Sequence, residues 1–287
     1  FGSSCWGSMF ACCSCMRSDP QVGNPAPVPQ IPRTEERAIT LGQLRGVYTE
    51  IEQRCSLESW RSYEGAELIP AVVNLYDTVK YYVKPVTSQL RCSYVELVAE
   101  GPQPPDYFVS HWWGEPVRDM MKCLEQHAGD RLLDGAVAYW VCAYANNQHD
   151  LGGDVAADPA QSSFRRAMDI ARGTVSVVDR GAVVFTRVWC CYEVFVSLRK
   201  SADSAGLSYT YDVYTAKEHV YKPAGGMPAL KDTTIPGGAY NPADIRGAVG
   251  ITDGLAEGDR GKPDWKRQRE RHFPLELAQE SLGINLE

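Results

Sequence analysis

Histidine and cysteine side chains in the middle of the chain are the first candidates for chemistry. A Cys190 thiol beside a base such as His111 would form an activated nucleophile. The same two residues, together with Cys142 and His149, would offer ligands of the types that zinc prefers. Neither set shows the paired ligand spacing or the motif that such sites carry. The sequence therefore predicts no metal site, and we interpret the scattered cysteines as small buried hydrophobic residues.

Polar residues that follow strand-like segments form a second group of candidates. They are Ser110 with His111, the cluster Asn146–Asp150, Asp179, and the start of a helix that we expect Thr186 to cap. The carboxyl ends of parallel strands share one edge of a sheet, and ligands of open α/β folds bind there. We therefore expect these groups to lie along one edge. Loop residues are often polar without forming a site, so this convergence alone does not establish one.

The elements that would position these residues alternate between strand and helix patterns. Tyr107–Val109 and Thr174–Val178 have the composition of short strands. Ala136–Tyr144 is nearly continuous in apolar residues, as a buried parallel strand would be. Leu207–Tyr214 alternates like an edge strand. With helices between them, these segments predict an α/β fold whose open, mainly parallel sheet has helices on both faces.

Four regions follow from composition and pattern. Residues 1–35 form a Cys- and Pro-rich extended arm, and residues 36–105 form a helical segment packed on the core. In that segment Thr40 and Gln43 predict a capping box, and a second helix starts near Pro70 and ends at Pro85. Residues 106–221 form the α/β domain. Residues 222–287 are rich in Pro and Gly, so we expect an irregular C-terminal appendage.

Composition and charge exclude several classes of protein. The 287 residues carry 29 Lys and Arg against 36 Asp and Glu, a net charge of −7, and no basic stripe, so nucleic acid is not expected as a partner. The longest apolar run, Ala136–Ala145, is half of the roughly 20 residues that a membrane-spanning helix needs. Scattered cysteines indicate an intracellular location, in a reducing compartment or an organelle.

The N-terminal cysteines are a separate feature. The segment CWGSMFACCSC places four thiols beside large apolar side chains, and its candidate contact residues are Cys5, Trp6, Phe10, Cys12, Cys13 and Cys15. Such thiols could be S-acylated and hold the chain at a membrane surface. The same arm could instead pack on a protein partner. A metal site is the weaker alternative, because no second ligand pair follows at zinc-site spacing.

Three motifs in order give the chain a resemblance to a known family. They are FVSHWWGE after the first strand, YWVCAYANNQ, and RVWCCYE on a helix. Over about residues 106–215 they resemble the Toll/interleukin-1-receptor (TIR) domain, in the divergent form of uncharacterised algal and protist proteins. In enzymatic members, a glutamate on the Trp-Cys helix hydrolyses the nicotinamide–ribose bond of NAD. The resemblance implies Glu193 for that role, stabilising an oxocarbenium-like transition state, with Ser110 and His111 opposite it.

The size of the Trp112 and Trp113 side chains decides whether we expect an enzyme or a non-catalytic protein. They follow the first strand, where the family has small polar residues, and their rings could fill the nucleotide cleft. We therefore expect a non-catalytic interaction or structural subunit of a larger assembly, with protein partners, a possible peripheral membrane contact through the arm, and no cofactor. The alternatives are an NAD-consuming hydrolase that uses Glu193 and NAD, or a signalling adaptor.

Overall fold

The computed structural model describes residues 31–151, 158–203, 209–218 and 245–250. Its six-stranded sheet has the order β1-β3-β2-β4-β5-β6. The strands are β1 (Ile39–Thr40), β2 (Tyr107–Ser110), β3 (Ala138–Trp140), β4 (Gly173–Val177), β5 (Thr210–Glu218) and β6 (Ile245–Gly250). The four inner strands are parallel, and β1 and β6 add antiparallel edges. The chain therefore has the α/β fold with an open, mainly parallel sheet that its sequence predicts.

Helices cover both faces of this sheet. They are α1 (Leu41–Leu57), α2 (Leu75–Thr78), α3 (Lys84–Thr87), α4 (Tyr94–Val98), α5 (Val117–Asp130), α6 (Cys142–Ala145), α7 (Ser163–Ile170) and α8 (Val188–Asp203). Alternation along β2 separates two cores. Tyr107 and Val109 join the cluster formed with α1 and α5, while Phe108 joins the cluster formed with α7 and α8. Ser110 follows Phe108 by two residues and therefore shares the face of α8.

Pro85 does not end the second helix, which corrects the sequence-based expectation. The helix begins later, at Leu75, after a 3-10 turn at Pro70–Val72. A π turn, Val79–Val83, then joins α2 to α3, and the Lys84 amide donates to the Val79 carbonyl five residues back. Proline normally breaks a helix because it lacks an N–H and crowds the carbonyl four residues earlier. The wider π turn shifts the hydrogen-bond register just before Pro85, so the helix continues through it.

Four strand assignments also differ from the sequence analysis. The apolar run Ala136–Tyr144 contains only a three-residue strand, because the chain turns into the short helix α6. The strand expected at the edge, β5, lies inside the sheet between β4 and β6. Its partner β6 belongs to the region expected to be irregular. At the opposite edge, β1 is a two-residue strand in the region expected to be wholly helical.

The caps of the helices agree with the sequence-based expectation at α1 but not at α8. The capping box of α1 is present, since the Gln43 amide donates to Thr40 Oγ1 over 3.1 Å. Ser162 caps α7 by accepting from the Arg165 amide over 3.2 Å. Thr186 is not the cap of α8, which begins two residues later; its hydroxyl donates to the Val183 carbonyl. Gly173 begins β4, where a Cβ would lie 2.1 Å from Thr210 Oγ1.

The folded core begins before the end of the arm predicted at residues 1–35. Ile31 is fully buried, and its amide donates to Glu96 Oε1 over 3.2 Å. The Trp140 indole donates to the Thr34 carbonyl over 3.0 Å, and Arg166 pairs with Glu35. A deletion meant to leave the core intact must therefore stop at residue 30.

A buried ionic network fastens α5 to the sheet. The carboxylate of Asp212, on β5, has no exposed surface and pairs with Arg131 Nη2 at 2.7 Å and Nε at 2.9 Å. His127 Nε2 lies 3.2 Å from the same carboxylate, and His127 Nδ1 lies 2.8 Å from Tyr139 Oη. Burial opposes ionisation, but the bonds from His127 and Arg131 hold the pKa of Asp212 below its ordinary value. The network thus links α5 with β3 and β5.

We expect Asp212→Asn to lower the free energy of unfolding by about 3 kcal/mol, since it leaves the Arg131 charge without its buried partner. The matched control is Glu125→Gln, which breaks the exposed Arg45–Glu125 pair (3.0 Å) and should cost about 1 kcal/mol or less. Urea denaturation at pH 7 measures both. Equal losses in the two variants would show that the Asp212 network adds nothing beyond a surface ion pair.

Candidate functional site

Two of the three predicted site residues are in contact. Ser110 lies at the end of β2 on the face covered by α8, and Glu193 lies on the inner side of α8. The Ser110 hydroxyl donates a hydrogen bond to Glu193 Oε2 over 2.6 Å. The resemblance to enzymatic TIR domains implies that Ser110 lies opposite the glutamate, and the geometry is compatible with that implication.

The Glu193 carboxyl is buried and favours its protonated form. Only 4% of the residue is exposed. Burial raises the pKa of Glu193 to about 8, against the opposing effect of the Ser110 hydrogen bond. At pH 7 the group is therefore mainly a neutral acid. It can donate a proton, but it presents little negative charge to a developing cation.

His111 does not join this pair by a hydrogen bond. Its Nδ1 lies 3.4 Å from the Val109 carbonyl oxygen, and its Nε2 has no hydrogen-bond partner among the described residues. The residue is buried, and this burial lowers the pKa of His111 to about 4. The imidazole is therefore neutral at physiological pH and makes no hydrogen bond to Glu193.

The cysteines near the site are poor nucleophiles. Cys190 Sγ lies 3.6 Å from the His111 carbonyl oxygen, so it faces that residue's main chain instead of a base. Burial, reinforced by nearby Glu193, raises the pKa of the Cys190 thiol far above its ordinary value. Nucleophilic cysteines need the opposite shift. All six described cysteines are free thiols, and Cys191 is exposed, contrary to the expectation of burial.

The four residues considered as a metal site serve other contacts. His149 Nε2 lies 2.8 Å from Thr87 Oγ1, and Cys142 Sγ accepts a hydrogen bond from the Trp113 indole over 3.0 Å. Within the described ranges, no three His, Cys, Asp or Glu side chains are placed to hold one metal ion.

The edge loops expected to converge on a site are occupied by internal contacts. Asn146 Oδ1 accepts from the Ser163 hydroxyl over 3.0 Å, and the Asn147 side-chain amide donates to the Arg91 carbonyl over 2.7 Å. Asp179 accepts from the backbone amides of Gly181 and Val184. These bonds order the loops, and they engage the polar side chains that would otherwise contact a ligand.

The two tryptophans after β2 pack against the protein itself. The Trp113 ring lies between Cys142 and Tyr76, whose ring centroid is 5.3 Å away. The Trp112 ring lies so close to Gly114 that a Cβ there would be 2.3 Å from it. Both residues are half-buried. Both rings lie directly after β2, the place where we expected them to fill the nucleotide cleft.

Glu115 is a buried acid that the sequence analysis did not single out. It is 4% exposed, and its Oε2 has no hydrogen-bond partner among the described residues. Burial, with the negative charges of Asp179 and Asp119, raises the pKa of Glu115 well above its ordinary value. The sequence shows Glu115 only as a carboxylate in the loop between β2 and the helix that starts after Pro116. Its burial comes from tertiary contacts, which the sequence of this loop does not reveal.

The N-terminal contact residues fall outside the described part of the chain. They are Cys5, Trp6, Phe10, Cys12, Cys13 and Cys15. In the described part, none of the helices combines the length and apolar character needed to cross a membrane.

The raised pKa of Glu193 makes stability depend on pH. Between the ordinary value of 4.5 and about 8, the folded state holds a proton that the unfolded state releases, so stability falls as pH rises through this window. Glu193→Gln removes this loss. We expect its stability relative to wild type to improve by about 3 kcal/mol between pH 5 and pH 8.5, measured by urea denaturation.

In a Ser110→Ala background the pKa of Glu193 should rise further, because the bond that lowers it is gone. The advantage of Glu193→Gln should then grow over a wider pH range. A difference that stays constant from pH 5 to pH 8.5 would contradict the assignment of a raised pKa to Glu193.

In comparison with known proteins, no family model, no curated protein and no solved structure matches the chain. The resemblance to TIR domains therefore depends on the three quoted motifs and stands as a proposal.

Proposed function

We propose that this chain is a non-catalytic interaction or structural subunit of a larger assembly, built on a TIR-like α/β domain. The observation that carries the proposal is the burial of the Ser110–Glu193 pair. A catalytic group must come within hydrogen-bond distance of its substrate. Glu193 instead directs its carboxyl inward, where Ser110 takes one oxygen at 2.6 Å.

The surroundings of this pair support the same conclusion. Trp113 is held by Cys142 and Tyr76, so opening a path beside it would break an indole hydrogen bond and an aromatic contact. His111 is buried and neutral, and its ring nitrogens make no hydrogen bond to Glu193. The burial of these groups fits a domain whose role is to present surfaces.

The N-terminal arm is the segment that we assign to partner contact. Its first 17 residues contain five large apolar side chains and four cysteines, with Arg17 as the one charged residue. A segment of this size cannot bury such side chains within itself. A protein partner, or a membrane surface after S-acylation, would cover them. Both occupants agree with a peripheral, intracellular subunit.

The alternative as an NAD hydrolase has one observation in its favour, which is the raised pKa of Glu193. A general acid works best with a pKa near the operating pH. We nevertheless expect the purified chain to release nicotinamide from NAD no faster than the Glu193→Gln variant, because the nicotinamide ribose cannot reach the buried carboxyl. Chromatography of released nicotinamide measures this.

Turnover of about 1 per second or more, lost in Glu193→Gln, would overturn the non-catalytic proposal. Circular dichroism of both proteins controls for folding. The Gln variant is preferred to Ala because it keeps the side-chain volume and leaves no cavity.

Deleting residues 1–30 tests the role of the arm. Since Ile31 is the first described residue and is fully buried, the truncated chain should keep the thermal unfolding midpoint of the full chain within about 2 °C. It should lose association, which sedimentation velocity measures for the protein alone and flotation measures with 7:3 phosphatidylcholine–phosphatidylserine vesicles. Sedimentation and flotation that are both unchanged by the deletion would refute the assignment of partner contact to the arm.

A further inference from the structure

Two segments of the fold bring three basic side chains to one surface. Lys84 begins α3, Arg91 ends the turn that follows α3, and His149 lies in the loop after α6. His149 Nε2 is 2.8 Å from Thr87 Oγ1, which holds the imidazole against the helix. Since Lys84, Thr87 and Arg91 are spaced by three and four residues, they share one face of that helical segment. The imidazole therefore lies on the same face as both cations and between them along the helix.

The two cations beside His149 have no acidic partner in the part of the chain that the structure describes. Nine arginines there pair with a carboxylate, but Arg91 does not, and neither does Lys84. Burial and the positive charges of Arg91 and Lys84 lower the pKa of His149. Asp150, the acid next in sequence, is exposed. The cluster therefore carries positive charge that the described residues do not neutralise.

Arg91 has a backbone conformation that favours glycine. Its φ is +49°, in the left-handed region where a Cβ is disfavoured. Two hydrogen bonds hold it there. The Arg91 amide donates to the Thr87 carbonyl over 2.8 Å, and the Arg91 carbonyl accepts from the Asn147 side chain over 2.7 Å. Asn147 belongs to the same loop as His149, so one loop positions both basic groups. From an arginine kept where glycine would be more stable, we infer that its side chain has a use.

The second ring nitrogen of His149 is available to a ligand. The Thr87 hydroxyl donates its hydrogen to the Val83 carbonyl over 2.7 Å, so it can only accept from His149 Nε2. Nε2 therefore carries the hydrogen of the neutral ring, and a further proton binds at Nδ1. This Nδ1 atom makes no hydrogen bond to the described residues. An anion beside Nδ1 would favour the protonated ring and accept its N–H.

The number and type of these donors select a class of ligand. Arg91 offers a planar fork of N–H groups, Lys84 a compact ammonium, and protonated His149 an N–H. A phosphate monoester carries roughly two negative charges near pH 7 and three acceptor oxygens. A carboxylate carries a single charge and two oxygens. Because the cluster holds two permanent positive charges and a third on protonation, it fits a phosphate monoester better than a carboxylate.

Exposed leucines beside the cluster bear on the source of such a phosphate. Leu90, which is 37% exposed, precedes Arg91, and Leu151, which is 43% exposed, follows the loop of His149. Apolar side chains next to basic ones are typical of surfaces that lie on a layer of anionic lipid headgroups. A soluble phosphate monoester would need the cations alone. The recognised group is the same in both cases, and the experiment separates the two sources.

We propose that Lys84, Arg91 and His149 form a binding site for a phosphate monoester, either free in solution or carried by a lipid headgroup. The guanidinium and the ammonium bind the phosphate oxygens, and the imidazole takes up a proton from solvent as the phosphate binds. The site goes beyond the proposed function, because it involves neither the N-terminal arm nor Glu193.

The first experiment compares the full chain with two variants. Arg91→Gly removes the guanidinium and places glycine where φ is +49°, so folding should not suffer. Arg187→Gln is the matched control, because Arg187 is exposed and also lacks an acidic partner among the described residues, but lies next to α8. Isothermal titration calorimetry at pH 6 measures the affinity for glycerol 3-phosphate and for glycerate, its carboxylate counterpart. The thermal unfolding midpoint of each protein checks its folding.

We expect Arg91→Gly to bind glycerol 3-phosphate at least about tenfold more weakly than wild type, and Arg187→Gln to bind it equally well. Glycerate should bind wild type at least about tenfold more weakly than glycerol 3-phosphate does. An Arg91→Gly variant that binds as tightly as wild type would overturn the proposal, and so would equal affinities for the two ligands.

Sulfate isolates the role of His149, because it stays doubly negative between pH 5 and pH 8 while a phosphate monoester titrates. Binding favours the protonated ring, so affinity should rise as pH falls. We expect wild type to bind sulfate at least about threefold more tightly at pH 5.5 than at pH 7.5, and His149→Gln to show no such change. Imidazole NMR should give a higher pKa for His149 with sulfate than without. A pKa of His149 that bound sulfate leaves unchanged would remove this residue from the site and overturn the proposal.

Flotation of the full chain with 7:3 phosphatidylcholine–phosphatidic acid vesicles separates the two sources. Vesicle binding that Arg91→Gly weakens at least about fivefold would support the proposal with a lipid headgroup as the ligand. Tight binding of glycerol 3-phosphate, lost in Arg91→Gly while vesicle binding is unchanged, would support it with a free phosphate monoester. If Arg91→Gly alters neither, the proposal is overturned. None of these outcomes depends on residues 1–30, so this site and the proposed function can fail separately.

Discussion

The carboxylate of Asp212 lies inside the sheet with no exposed surface, and a charge in that position destabilises a fold unless it is paired and hydrogen-bonded. Both partners come from the C-terminal end of α5: His127 in its last turn and Arg131 directly after it. Their placement also suits the negative end of the helix dipole. Tyr214 adds a bond to Asp130 over 2.9 Å. Once α5 is fixed in this way, the start of α5 is fixed as well, and with it the loop from His111 to Pro116 that carries the candidate site.

The two faces of the sheet are fastened by different chemistry. On the α5 side the contacts are ionic and bidentate. On the α8 side they involve uncharged or mostly protonated groups: Ser110 with Glu193, Ser197 with Thr174, and Ser176 with Tyr211. A neutral network of this kind needs no counter-ion, so α8 can lie on the sheet without a charged partner. Glu193, which the family resemblance suggests as a catalytic acid, is by its contacts one of the groups that hold α8 on the sheet.

The sequence predicted those parts of the fold that depend on neighbouring residues. The strands at Tyr107 and Thr174, the cap at Thr40 and the apolar side of α5 all follow from local pattern. The interior position of β5 did not, because its partner β6 lies beyond a long stretch rich in Pro and Gly. Ser110 and Glu193 are in contact, but the pKa of Glu193 is set by burial, which a motif does not encode. The expectation that Cys191 is buried was wrong, because adjacent residues on a helix face in different directions and Cys191 faces outward while Cys190 faces inward.

The π turn at Val79–Val83 has a consequence for the history of this chain. A π turn holds one residue more than an α-helical turn, so α2 and α3 behave as one helix that gained a residue. In an unbroken helix one inserted residue would rotate everything after it by about 100°, which is the angle per residue of a helix. The wider π turn absorbs that rotation, so Leu75 and Thr87 on either side of it both point into the protein and are both buried. A relative lacking the extra residue would keep the same buried positions, so alignments through this region should contain a one-residue gap.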